Sequence, residues 1–368
     1  MKQNIIVLIA VIGLGLISCS VPKNKSTKEI WGEINGEAIH LYTITNENGM
    51  VMKLTNYGGI ITSVLVPDKN GNMVDVVLGY DNLQQYLDPN PCFGATIGRF
   101  ANRIRNASFV INDSTYHLTQ NDKVHCSHGG MEFNTAVWQS KEVQSKQGVG
   151  VQLKYLSKDG MHGFPGNLDV TVTYILSHNN AIEVTFEAST DKATHVSLTQ
   201  HSYFNLNGGK SPIHDHLIKI DADNYTEIDA DIVPTGVIGS VLGEEWDLTQ
   251  MTRMGDHMHQ LNHNGYHYCY VFNKTEGELK KVIEVIEPST GITMDVSTTQ
   301  PGVQFYSGNA INDQLIGKYG IKYGPHAGFC LETEHLPNTP NLPNFPSTLL
   351  LPEEQYKEIA IYDFGIKE

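Results

Sequence analysis

Charge is scarce in this chain. Asp, Glu, Lys and Arg make up 18% of its 368 residues, where a quarter is usual. The charge present leans one way, with 40 acids against 25 bases and a formal net of -15. Such a surface repels phosphate backbones and disfavours nucleic acid as a partner. It suits a protein acting on neutral small molecules without identifying them. No C-x-x-C occurs, so neither a zinc knuckle nor a thioredoxin-type centre is indicated. G-x-G-x-x-G and Walker loops are also missing, and with them the usual cradle of a nucleotide cofactor. Strands do not alternate with helices, which disfavours a parallel doubly wound sheet. There is no exact repeat, low-complexity tract or long linker.

The N-terminal apolar run, residues 5–17, is shorter than the roughly 20 residues a bilayer span needs. Preceded by Lys2, it reads as the apolar region of an export signal. It ends Leu16-Ile17-Ser18-Cys19, which resembles a bacterial lipobox. The expectation is a signal peptide over 1–18, lipidation at Cys19 and a polar tether over 19–28. One domain over 29–368 would follow, exported and anchored to a bacterial membrane, facing the periplasm or the cell surface. Four further cysteines, Cys92, Cys126, Cys269 and Cys330, allow three full disulfide pairings. Export would permit disulfides, and the sequence does not choose between pairings and free thiols.

Strand signals fill the rest. Val170, Val172 and Tyr174 alternate with Asp169, Thr171 and Thr173; Ile182, Val184 and Phe186 alternate with Glu183, Thr185 and Glu187. Period two means one buried and one wetter face, as in antiparallel sheets. Similar segments lie at 40–45, 50–57, 60–66, 73–78, 281–287, 292–297 and 303–306, closed by Gly, Asn, Asp and Pro. Helical candidates are 83–87, about one turn, and 250–261. The fold class predicted is all-β, a large antiparallel sandwich.

Five segments are more polar than a strand requires: 98–104 (G-R-F-A-N-R-I), 125–130 (H-C-S-H-G-G), 199–206 (T-Q-H-S-Y-F-N-L), 300–306 (Q-P-G-V-Q-F-Y) and 330–334 (C-L-E-T-E). Singly, each has a bland reading; Glu332, for one, could sit on the wet face of an edge strand. In this order they resemble the aldose 1-epimerase (galactose mutarotase) family, from about residue 36 to 364. The resemblance implies a large β-sandwich with an open sugar cleft and no metal or cofactor. It implies Glu332 as general base and His201 as general acid, two groups whose pKa values can be tuned apart for work near neutral pH. Asn102, Arg103, His128 and Gln304 match sugar-contacting positions, and Arg99 is read as structural. The family's Gly-aromatic-Asp-His is replaced by Gly265-Tyr266-His267-Tyr268. His267 thus stands where an acceptor-only carboxylate is usual, and a shifted sugar preference is expected. The implied substrate is a free aldose, galactose, glucose or a relative; the oligomeric state is unspecified.

Three other functions compete with this one. A non-catalytic sugar-binding protein of the same fold would keep Arg103 but lose an acid or a base. A glycoside hydrolase needs a second carboxylate, for which Asp247 or Glu334 would have to serve. An epimerase of sugar phosphates fits poorly with export. The pairs and triples of histidine at 214, 216, 257, 259 and 263 are read as surface loops rather than metal ligands.

Overall fold

A computed structural model describes residues 24–367. The expected signal peptide and Cys19 lie outside the described residues. Among those described, no helix is long and apolar enough to cross a membrane.

Three antiparallel sheets dominate. The largest has nine strands in the spatial order Gln139–Gln144, Gly148–Ser157, Leu168–Ser177, Ala181–Thr190, Tyr356–Ile366, Ile292–Thr298, Lys280–Ile286, Leu217–Ile220 and Thr252–Arg253. A six-stranded sheet runs Tyr203–Phe204, Phe329–Glu334, Gly302–Tyr306, His267–Val271, Asn224–Ile228 and Pro234–Ser240. A five-stranded sheet holds Lys25–Ile34, Glu37–Thr45, Val51–Thr55, Ile61–Pro67 and Met73–Asp75 in chain order.

Alternation explains how they pack. Val170, Val172 and Tyr174 are sealed, while Asp169 is exposed and Thr171 and Thr173 are half-buried. The sealed face of the nine-stranded sheet joins Met52 and Val64 of the five-stranded sheet and Tyr270, Phe305 and Leu331 of the six-stranded sheet in one core. Phe204 sits at the junction, its ring 5.3 Å from that of Tyr362 and 6.0 Å from that of Phe329. Each fully buried Val, Leu or Phe there contributes about 1.5–3 kcal/mol. The result is the large all-β sandwich that the alternation predicted.

Three local expectations are revised. The first strand begins at Lys25 and pairs Lys25 with Thr45, so the fold takes in the last residues of the expected tether. Its side chains are mostly exposed, and it is held by backbone pairing together with Trp31 and Ile34, which pack on a smaller apolar cluster, the Trp31 ring 5.8 Å from that of Tyr86. Residues 250–261 form no α-helix; a two-residue strand and two 3-10 turns, Met254–Asp256 and Met258–Gln260, occupy them. Glu332 is not on the wet face of an edge strand: Phe329–Glu334 is buried at every position and flanked on both sides. The one-turn helix Leu83–Leu87 is present, its first turn capped by Asn82.

Candidate active site

The site occupies the second face of the six-stranded sheet. In strand Phe329–Glu334, Phe329 and Leu331 enter the main core, so alternation turns Cys330, Glu332 and Glu334 to the other side. Registry sets Gln304 directly opposite Glu332 and Cys269 opposite Gln304. His267 is opposite Tyr306. Sheet geometry therefore fixes the spacing of Glu332, Gln304 and His267, with no flexible loop involved.

Two further segments bring the remaining side chains over this face. Strand Thr199–His201 pairs with Ala95–Ile97. Its Gln200 side chain is held on the opposite side by Tyr174, the carbonyl of Gly94 and Ser202, which aims His201 into the cleft. Residues 98–104 carry Asn102 and Arg103. Asn102 adopts a left-handed φ of 59°, a conformation Asn tolerates better than most residues. Arg99, three residues earlier, is fully buried and directs its guanidinium away from the cleft. It donates to Ser157 Oγ, to the carbonyls of Ser157 and Lys158, and to that of Pro165. Burial lowers its pKa to about 10. Its role is structural, in line with the reading of the sequence. Gly129, at φ 63°, packs so closely on Gly98 and Arg99 that any Cβ would collide with their backbone. This contact seats the 125–130 segment, and His128 with it, on the 98–104 segment.

All seven sequence-predicted residues, Asn102, Arg103, His128, His201, His267, Gln304 and Glu332, line one cleft of about 470 Å³, a size ordinary for small-molecule sites. His201 Nε2 stands 3.4 Å from Glu332 Oε2. Both side chains are nearly closed to solvent, at 7% and 3% exposure. Burial pushes Glu332 up to about 8, with Arg103 drawing it the other way. Burial also lowers His201 to about 4. The other ring nitrogen of His201, Nδ1, lies 3.6 Å from Cys330 Sγ.

The cleft walls are ready-made donors. Asn102 N–H donates to His128 Nδ1 at 3.3 Å. Burial, with His201 and Arg103 nearby, holds His128 well below its ordinary pKa. A neutral His128 that accepts at Nδ1 carries its proton on Nε2, so it presents an N–H to the cleft. Arg103 Nε donates to Asp122 at 2.7 Å, which orients the fork while its Nη groups have no partner among the described residues. Gln304 Oε1 accepts from Asn102 Nδ2 at 2.9 Å, leaving Gln304 Nε2 buried and unpaired. Glu332 Oε2 likewise makes no hydrogen bond among the described residues, with His201 Nε2 3.4 Å away. Buried polar atoms without partners are rare, and here two of them face a cleft. His267 is neutral, its pKa lowered to about 3 by burial first and then by Arg103.

The candidate ligand atoms of His128, His201 and Glu332 fall within 4.8 Å of one another, which raises a metal site as an alternative. The tautomer of His128 opposes it. A ligating imidazole nitrogen must be free of hydrogen while the other nitrogen donates, and His128 is hydrogen-bonded the other way round. Among the remaining histidines, His216 is not on the surface: it is fully buried and its Nε2 accepts from Leu206 N–H at 2.9 Å. Cys92, Cys126, Cys269 and Cys330 are all buried free thiols. Asp247 caps its own turn, accepting from Thr249 and Gly243. Glu334 lies behind Asn102 and does not line the cleft.

Sequence reasoning missed Tyr203 and Tyr306 as cleft residues. Both sit two positions beyond a predicted one, and period two along a strand could have found them. Nothing in the sequence pointed to Asp122.

Fold and site together define a sugar-sized acid–base cleft on a β-sandwich. Comparison with known proteins makes this specific. The family model described as Aldose 1-epimerase matches residues 40–363. The chain is 38% identical over 344 residues to galactose mutarotase of Homo sapiens, covering 92% of this chain and 98% of that one. It is 33% identical over 338 residues to aldose 1-epimerase of Escherichia coli strain K12, covering 90% and 96%. Among solved structures, the galactose 1-epimerase of Lactobacillus acidophilus superimposes with a TM-score of 0.82 at 24% identity, covering 94% of this chain and 100% of that one. An aldose epimerase homologue from C. elegans gives 0.83 at 24% identity, covering 89% and 99%. This chain belongs to the aldose 1-epimerase family.

Proposed function

We propose that Glu332 and His201 interconvert the α and β anomers of a free aldose by exchanging protons with the sugar's O1 and ring oxygen. The observation that carries this is the 3.4 Å approach of His201 Nε2 to Glu332 Oε2 at the base of the cleft. The pair shares one proton. Burial favours the neutral arrangement, with the proton on Glu332. Moving it across the gap gives a carboxylate and an imidazolium, and Arg103 stabilises the carboxylate.

Ring opening then needs two transfers. Glu332 takes the proton of O1–H and His201 gives its proton to the ring oxygen as the bond from C1 to that oxygen breaks. The open-chain aldehyde forms and the pair is neutral again. After rotation about C1–C2, His201 removes the proton from the former ring oxygen as that oxygen attacks the other face of C1. Glu332 returns its proton to O1. No covalent bond to the protein forms, and atoms balance without a co-reactant. The Nη groups of Arg103, Nε2–H of His128 and Nε2–H of Gln304 supply donors to the sugar hydroxyls. The test is polarimetry on freshly dissolved α-D-glucose, α-D-galactose and pentoses. Accelerated approach to anomeric equilibrium is expected. Folded protein that accelerates none would instead favour a sugar-binding role.

His267 bears on which aldose. A neutral imidazole donates as well as accepts, and it presents a bulkier edge than a carboxylate. Replacing it with an acceptor-only side chain, His267→Asp, is expected to shift the ratios of kcat/KM among aldoses by about 10–100-fold, the worth of one charge-assisted hydrogen bond. An unaltered sugar profile would discard His267 as a specificity determinant.

We also propose that the protein is exported and anchored by a lipid on Cys19, on the strength of the apolar run and of Leu16-Ile17-Ser18-Cys19. It would then meet sugars freshly released by hydrolases as single anomers. Labelled fatty acid should be incorporated in the native host and should disappear with Cys19→Ala. Label retained in that variant would refute the anchor.

A further inference from the structure

We propose that Glu334 is a positioning residue, a carboxyl that keeps its proton and holds Asn102 from behind the cleft without adding charge beside Glu332. The proposal rests on the reading of Glu332 as the ionising partner of His201.

Glu332 and Glu334 are alternate residues of one strand and share its site-facing side, about 6.6 Å apart along the backbone. Their exposures are 3% and 0%. Asn102 Nδ2 divides its hydrogen bonding between Gln304 Oε1 at 2.9 Å and Glu334 Oε1 at 3.2 Å. Glu334 Oε2 has no partner among the described residues, so an ionised carboxylate would leave part of its charge unsolvated there, a larger cost than a neutral carboxyl bears. The titratable groups around it are Glu332, Arg103, Cys269 and Tyr356. Only Arg103 is cationic, and it is matched to Asp122. A second carboxylate on this dry face would therefore be uncompensated, and like charges sharing a closed site do not both ionise. Burial, then the charge of Glu332, holds Glu334 well above the usual carboxylate range. As a neutral acid, Glu334 leaves the proton count of the Glu332–His201 pair at one.

Glu334→Leu removes the acceptor for Asn102 and should raise KM about tenfold with a smaller change in kcat, the loss of one buried hydrogen bond. Glu334→Gln keeps the shape, the acceptor and the neutrality, and should restore KM to within about threefold of wild type. It should also leave the alkaline limb of kcat/KM where it is. Failure of Glu334→Gln to rescue, or an alkaline limb lowered by a full pH unit, would show that Glu334 is ionised in the native protein and overturn the proposal. A wild-type KM in Glu334→Leu would overturn the positioning role. Should Glu334→Leu not fold, infrared spectra decide: Glu334→Gln is expected to lose one component of the wild-type protonated-carboxyl absorption, that of Glu332 remaining, and an unchanged absorption there refutes the proposal. Glu332→Gln separates this from the underlying reading. If that variant remained active, the assignment of the base would fail, while the KM comparison would still judge Glu334.

Discussion

Glu332→Gln is expected to lower kcat/KM for mutarotation by about 10²–10⁴-fold, and His201→Asn by a similar factor, the range removed with one general acid or base. Gln keeps the size of the side chain but cannot take a proton from O1, and Asn cannot hand one to the ring oxygen. The two losses should not add. With either partner gone the shared proton has no return path, so the double variant should be little worse than the poorer single one. The pH profile follows from the same count. Below about 4 His201 gains a proton while Glu332 keeps its own, and above about 8 Glu332 has lost its proton while His201 is neutral. The productive one-proton state lies between, so kcat/KM should be flat across that interval and fall on both sides, with the two limits belonging to the pair. Polarimetry across pH on wild type and the three variants tests all of this. Strictly multiplicative losses would mean that the two side chains act independently.

Arg99→Met should destabilise the fold by about 3–5 kcal/mol, the usual consequence of breaking a buried charged network from one side. The guanidinium is fully buried and its donors meet the carbonyls of Ser157, Lys158 and Pro165 and the hydroxyl of Ser157. That hydroxyl donates in turn to Glu132 at 2.8 Å, and Glu132 also accepts from Tyr155. Met fills much of the space but leaves those carbonyls bare and Glu132 without a nearby cation. Lys would supply charge without the planar fork that reaches four acceptors, so Arg99→Lys should recover only part of the loss. Asn102 and Arg103 follow on the same segment, so a rise in KM should accompany the drop in denaturation midpoint. A midpoint within experimental error of wild type would show that the network is dispensable.

The sequence made the chemistry more legible than its surroundings. Period two within 330–334 was enough to put Glu332 and Glu334 on one side of a strand. It could not tell that the side is sealed, because the lid comes from elsewhere: Asn102 meets Gln304 across 202 residues. For the same reason Glu334 read as a rival catalytic carboxylate, although Asn102 shuts it off from the cleft. His216 looked like a loop residue because its partner, the amide of Leu206, becomes a neighbour only when the intervening turn folds back. In Lys25–Ile34 only Trp31 and Ile34 pack on an apolar cluster, a spacing that breaks period two, and the pairing with Glu37–Thr45 is a contact composition does not reveal. Residues 83–87 read correctly because the cap and the turn are local.

Because ring closure runs the two proton transfers of opening in reverse, the Glu332–His201 pair is a machine without a reset. Whichever anomer leaves, the catalyst is already primed for either, and no stroke is spent restoring it. Nothing in such a cycle can favour one anomer over the other at rest; the site can only shorten the wait for equilibrium. Any directional benefit must come from a neighbour that removes one anomer, so the value of this protein to its cell would scale with the speed of that consumer.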